Sequence, residues 1–165
     1  MIVVSDTSPV SNLISLGQLK LLPALFEEVV IPSTVVAELL THPDPTFQSI
    51  FQQARQESWL IEKTVSDQEM VKNLLTNLDP GEAEAIALTL ELKADALLID
   101  ERAGYQIARN YQIDAIGVLG ILIRAKSQGL IPQIRPLLDR LKDQIGFYLS
   151  ARVYDHVLKI VGEKD

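Results

Sequence analysis

Two aspartates stand directly after short apolar runs. Asp6 follows MIVVS, and Asp100 follows ALLI. Runs of this length and composition read as buried strands. In an open parallel sheet, ligands bind just beyond the carboxyl ends of the strands, so both carboxylates are expected at one edge. Either acid alone is ordinary, because a strand often ends on a residue that meets water or caps the next helix. Two such acids, each between a strand and a helix, point to a cluster. Further acids are placed to join it. Glu82 lies in a first helical turn after Pro80-Gly81, where the helix dipole favours a carboxylate in any case. Glu84 is two residues on and points about 160° away from it. Glu38 falls just outside the apolar arc of Val35, Val36, Leu39 and Leu40. A residue there can meet solvent or line a cleft.

Clustered carboxylates repel one another, and burial raises their pKa unless a cation is present. Hard divalent ions prefer oxygen ligands. One or two such ions activate water and neutralise charge on a phosphodiester under attack. The sequence offers no rival chemistry of equal strength. It has no cysteine, and its two histidines, His42 and His156, have no partner at ligand spacing, which argues against zinc. No G-x-G-x-x-G follows the first strand, and Gly117 with Gly120 reads as a turn. A phosphotransfer protein also places an aspartate after its first strand. However, the phosphatase pattern wants a second aspartate where Ser8 stands, and a receiver wants adjacent acids and a late lysine that are missing here.

The elements that must hold these acids alternate along the chain. Strands are expected over residues 1–5, 28–31, 59–61, 96–99 and 113–116. Helices are expected from about Pro9 to Gly17, then over 18–26, 32–42, 46–57, 66–77, 82–93, 101–111, 118–129, 132–145 and 150–161, with an extended piece at 147–149. Ser66 and Glu69 have capping-box spacing, and Asp79-Pro80-Gly81 reads as a turn. Such alternation implies an α/β fold with a mainly parallel sheet between helices. The 165 residues suit one domain spanning 1–165, with about 132–165 a helical extension of the core. Apolar residues at 47% provide for a sizeable core, and no apolar run approaches membrane-spanning length. No secretory leader is recognisable at the N-terminus, so a cytoplasmic protein is expected. The net charge is −7, but the first 100 residues carry 5 Lys/Arg against 15 Asp/Glu, and the remainder carries 10 against 7. An acidic chain does not attract nucleic acid by its overall field. A nuclease would need local cations from bound metal and the basic C-terminal third. Arg102 and Arg109, seven residues apart on one helix face, are candidates for phosphate contact. Tyr105 between them is a candidate for stacking on a base.

The segments VSDTSPVSNLISLGQLKLLPALFEEVVIP, VVAEL, DPGEAEAIALTLELKADALLIDERAGYQIAR and IGVLGILIRAKSQGLIPQIRPLLDRL together resemble the PIN-domain family over nearly the whole chain. They are most similar to its compact prokaryotic, predicted nucleic-acid-binding members. The resemblance implies a three-layer PIN-like fold and a ribonuclease that uses Mg²⁺ or Mn²⁺, an endonuclease rather than an exonuclease. It also implies an RNA substrate, a homodimer and an antitoxin partner as expectations, since many relatives are toxins of toxin–antitoxin pairs. By position, the four catalytic and metal-binding acids are Asp6, Glu38, Glu82 and Asp100. Ser8 resembles the hydroxyl residue that supports the first acid. Glutamate rather than aspartate stands at the third position, so Glu84 competes with Glu82, and Glu101 is a further candidate after Asp100. The alternative is a PIN-like module without activity that binds nucleic acid or protein.

Overall fold

A computed structural model describes residues 1–164. The elements in chain order are β1 (Ile2–Ser5), α1 (Thr7–Ser15), α2 (Leu21–Leu25), β2 (Glu28–Pro32), α3 (Ser33–Leu40), α4 (Pro45–Arg55), β3 (Leu60–Lys63) and α5 (Gln68–Leu74). They continue with α6 (Pro80–Leu92), β4 (Ala96–Leu98), α7 (Arg102–Asn110), β5 (Ala115–Ile116), α8 (Val118–Ser127), α9 (Arg135–Arg140) and α10 (Ala151–Ile160).

All five strands pair in parallel in the order β3-β2-β1-β4-β5. Parallel strands are covered on both faces, which is why β1, β2 and β4 are almost unbroken apolar runs. Successive side chains alternate between the faces. Val3, Val29, Ile31, Ala96 and Leu98 belong to one core with α1–α4 and α8–α10. Val4, Val30, Leu97 and Ile99 belong to a second core with α5–α7. The α/β three-layer architecture therefore follows directly from the strand pattern. The chain leaves β1 toward β2 and β3, then crosses to β4 on the other side of β1. Strand order reverses between β1 and β4, and such a reversal opens a crevice at the carboxyl ends.

Several boundaries differ from expectation. Helix α1 begins at Thr7 rather than Pro9, directly after Asp6. Pro9 still fits, because a first-turn residue needs no N–H. The cap of α5 is Asp67, not Ser66: Asp67 Oδ1 accepts the Met70 N–H at 3.0 Å. The Ser66 and Asp67 N–H groups both donate to Glu91 Oε1, at 2.9 and 3.0 Å. Asp79-Pro80-Gly81 is no separate turn. Asp79 is the N-cap of α6, and Pro80 opens the helix. The last strand is only Ala115–Ile116. Gln112 has φ +60°, and the Ile113 N–H closes back on Ala108 O at 2.9 Å, so neither joins the sheet. The helix expected over 132–145 resolves into α9 and a π-helical turn, Leu141–Ile145. Residues 147–149, expected as an extended piece between helices, carry neither helix nor strand. The C-terminal segment packs into the first core through Leu137, Leu138, Leu141, Leu149, Val157 and Leu158.

Candidate functional site

Register brings the two strand-end aspartates to the same edge of the sheet. Ser5 pairs with Leu98, and the ladder continues one residue further, because the Asp6 N–H donates to Leu98 O at 2.9 Å. Asp6 thus closes β1, while Asp100 follows β4 two residues later. Asp6 is buried, with 3% exposure. Burial pushes its carboxyl up to about 7, the nearby Thr7 backbone N–H lowers it in part, and the charges of Asp79, Glu82 and Glu38 raise it further.

Asp100 lies against the start of α8. Its Oδ1 accepts the Val118 N–H at 2.8 Å, whereas its buried Oδ2 has no hydrogen-bond partner. Burial raises this carboxyl to about 6, against the lowering pull of Val118; Glu101 raises it and the side chain of Asn12 lowers it. Gly117 makes the arrangement sterically feasible. A Cβ there would stand 2.7 Å from Asp100 Oδ1.

Glu82 comes from the first turn of α6, in a capping box with Asp79. The Glu82 N–H donates to Asp79 Oδ1 at 2.9 Å, and the Asp79 N–H donates to Glu82 Oε2 at 3.3 Å. This pairing fixes the carboxylate in a buried position that a surface glutamate would avoid. Burial raises its pKa first, followed by the charges of Asp79, Glu101 and Glu38, with the Asp79 N–H opposing them. Glu38 arrives from α3. The Thr7 hydroxyl donates to its Oε2. The close approach of α3 to α6 again depends on a glycine, because a Cβ at Gly81 would stand 2.7 Å from Glu38 Oε1.

Three elements, β1, α3 and α6, therefore bring Asp6, Glu38 and Glu82 within mutual electrostatic reach, while the charge of Glu101 acts on both Glu82 and Asp100. Among the described residues, no three His, Cys, Asp or Glu side chains already stand together as a ligand set for one metal ion. Glu84 turns elsewhere. Its Oε2 accepts the Thr34 hydroxyl, and it is not among the charges that raise Asp6, Glu82 or Asp100. Ser8 lines a cleft of about 380 Å³ together with Asn12, Asp100 and Glu101. Arg102 is exposed in the first turn of α7, directly after Glu101 in the chain. Arg109 is seven residues along the same helix, a displacement of about 10 Å. It lines an open cleft with Tyr105, Gln112 and Asp114, before the start of β5 and therefore toward the opposite sheet edge.

A family described as PIN domain matches residues 2–163. The chain belongs to the PIN-domain family. PIN domains are generally nucleases and typically use divalent metals, so nucleic acid is the substrate class. No curated protein and no solved structure matches this PIN domain. No helix among the described residues is long and apolar enough to cross a membrane.

The donor chemistry of the PIN-domain edge suits a hard divalent ion. It offers carboxylate oxygens, one of them buried and unpartnered, and two glycines leave room for carboxylates. Several participants were not singled out from sequence: Asp79 as a further charge, Thr7 as an orienting group, and Gly81 and Gly117 as spacers. The Asp79–Glu82 spacing, with Pro80 between, was the readable signal for the first of these. The two α6 glutamates can be separated by substitution. Glu84→Gln is expected to leave nuclease turnover within about twofold of wild type, while Glu82→Gln lowers it by roughly a hundredfold or more, a typical effect for groups that hold or orient a metal. Initial rates on a labelled oligonucleotide distinguish the two, and the reverse order would reassign the third acid.

Proposed function

We propose that this PIN domain is a divalent-metal-dependent ribonuclease that cuts RNA internally. Asp6, Glu38, Glu82 and Asp100 would hold Mg²⁺ or Mn²⁺, with Glu101 close enough to contribute. Such an ion, when bound, supplies positive charge and Lewis acidity for phosphodiester hydrolysis. The observation that carries this reading is the unpartnered, buried Oδ2 of Asp100, beside the switch point that also receives Asp6. A buried carboxylate oxygen without a donor is costly, and a cation would relieve that cost.

The chain's own groups divide the remaining work. The Val118 N–H holds Asp100 Oδ1, which leaves Oδ2 free for a ligand. The Thr7 hydroxyl orients Glu38, and the capping box with Asp79 orients Glu82. Near neutrality Asp6 retains a proton on part of the population, which a cation must displace. Arg102, exposed at the same edge, suits a backbone phosphate of the substrate. The resemblance to toxin ribonucleases extends the proposal to a toxin role restrained by an antitoxin protein.

The test is cleavage of single-stranded RNA by purified protein in Mg²⁺ or Mn²⁺, with a chelator control and analysis of product ends. Internal cuts that require metal and leave 3′-hydroxyl and 5′-phosphate ends are expected. RNA binding without metal-dependent cleavage would instead favour a binding module, a reading that draws on the absence of a ready-made ligand trio.

A further inference from the structure

The cleft beside Asp100 has a second wall that the acids do not use. Its floor and first wall are Ser8, Asn12, Asp100 and Glu101; Ile145, Gly146, Phe147 and Tyr148 complete it. Gly146 ends the π-helical turn at φ +80°, a left-handed conformation suited to glycine. The Phe147 N–H then closes onto Leu141 O at 2.8 Å. Phe147 packs against the first core and Leu149 is buried in it. Tyr148 between them is 88% exposed, whereas Leu149 is only 6% exposed. With both neighbours anchored in the core, the tyrosine is held outward. Arg140 secures the same wall to the end of α1. Its guanidinium donates to Leu16 O at 3.0 Å and Ser15 O at 3.2 Å. The Ser150 hydroxyl caps α10 immediately beyond the loop.

We propose that Tyr148 is a stacking platform for one base of single-stranded nucleic acid, positioning the strand so that an adjoining phosphate meets Asp100. This rests on the nuclease reading and specifies its substrate as an unpaired strand. An exposed aromatic ring held on an anchored loop loses little freedom when a base covers it. Stacking requires an unstacked base with its π-face free, which a duplex does not present. The same cleft also carries polar groups at Ser8 and Asn12, suited to sugar or base edges.

The test compares wild type with Tyr148→Ala, Tyr148→Phe and Tyr148→Trp. Binding of a fluorescent RNA octamer and of the matching duplex is measured in Ca²⁺, and KM and kcat are measured in Mg²⁺ or Mn²⁺. Tyr148→Ala is expected to weaken single-strand binding by roughly tenfold, in line with loss of one base stack. The same loss should appear in KM, with kcat within about threefold, since binding alone has changed. Phe and Trp should restore affinity. In Tyr148→Trp, bound RNA should quench a fluorescence that wild type, with Trp59 as its sole tryptophan, lacks. Equal single-strand binding by wild type and Tyr148→Ala, or no binding by either, overturns the platform. A Tyr148-dependent affinity without any metal-dependent cleavage would remove the hydrolase reading and keep the platform. Cleavage unaffected by Tyr148→Ala would do the reverse.

Discussion

Asp100→Asn is expected to lower metal-dependent RNA cleavage by roughly a thousandfold, the scale on which a group central to charge stabilisation acts. The substitution is nearly isosteric, so it separates charge from shape. An asparagine oxygen can still accept the Val118 N–H that now reaches Asp100 Oδ1. The altered position is the buried Oδ2, which has no hydrogen-bond partner and is therefore free for a cation. An amide nitrogen there cannot serve as a ligand. The fold should survive, because the aspartate is a burden to the metal-free chain: burial raises its pKa to about 6, and Glu101 adds to the rise. Melting temperature should be unchanged or slightly higher without metal. Asp6→Asn should behave alike, since that carboxyl is still more strongly raised. Single-turnover rates of wild type and both variants, purified in parallel, provide the measurement. Equal cleavage by all three would trace the activity to a contaminant.

The legible part of this site was the part encoded by period and punctuation. Asp6 and Asp100 stand out because each ends a run of buried strand residues, and the parallel fold delivers strand ends to one edge. That β1 and β4 are neighbours, with Ser5 opposite Leu98, is a matter of strand order that the sequence pattern does not record. Glu82 and Glu84 differ only by rotation about one helix, and that rotation did place them apart. Which of them faces the acids depends on how α6 packs on α3, and the sequence carries no direct record of that. The Thr34 and Thr7 hydroxyls donate to Glu84 and Glu38 respectively, across 50 and 31 residues of chain. Gly81 and Gly117 looked like turn formers, yet both keep space clear for a carboxylate. A glycine's need for space is invisible until its neighbour across the fold is known. The same holds for Ser66. Its spacing from Glu69 suited a capping box, but Glu91 from α6 takes the Ser66 N–H, and Asp67 becomes the cap. Tyr148 is the clearest case. Nothing local marks it, because its place beside Asp100 comes from Arg140 reaching Ser15 and Leu16, more than a hundred residues away in sequence.

If the proposed site holds a divalent ion, the raised acids should make its binding strongly dependent on pH. Both folded-state values, about 7 for Asp6 and about 6 for Asp100, lie above the 3.8 of an unperturbed aspartate. The folded chain therefore binds more protons than the unfolded chain between those limits. Without metal, the stability contributed by these groups is fully present below about pH 4 and is lost as pH rises toward about 7. A divalent ion held by the deprotonated carboxylates would reverse the slope, because it would have to displace their protons. If both aspartates must be ionised, the fraction of chain ready to bind metal falls by roughly a thousandfold from about pH 8 to about pH 5, with most of the loss below neutrality. Saturating Mn²⁺ at about pH 8 is expected to raise the melting temperature by roughly 5–10 °C, following from about a hundredfold excess over the dissociation constant in a chain of this size. At about pH 5 the same Mn²⁺ concentration should produce almost no shift. Asp6→Asn should reduce the shift at about pH 8 and make the metal-free slope shallower at once, because that carboxyl contributes to both effects. A Mn²⁺ shift equal at both pH values, or one retained in Asp6→Asn, would mean that the ion sits away from the two strand-end carboxylates.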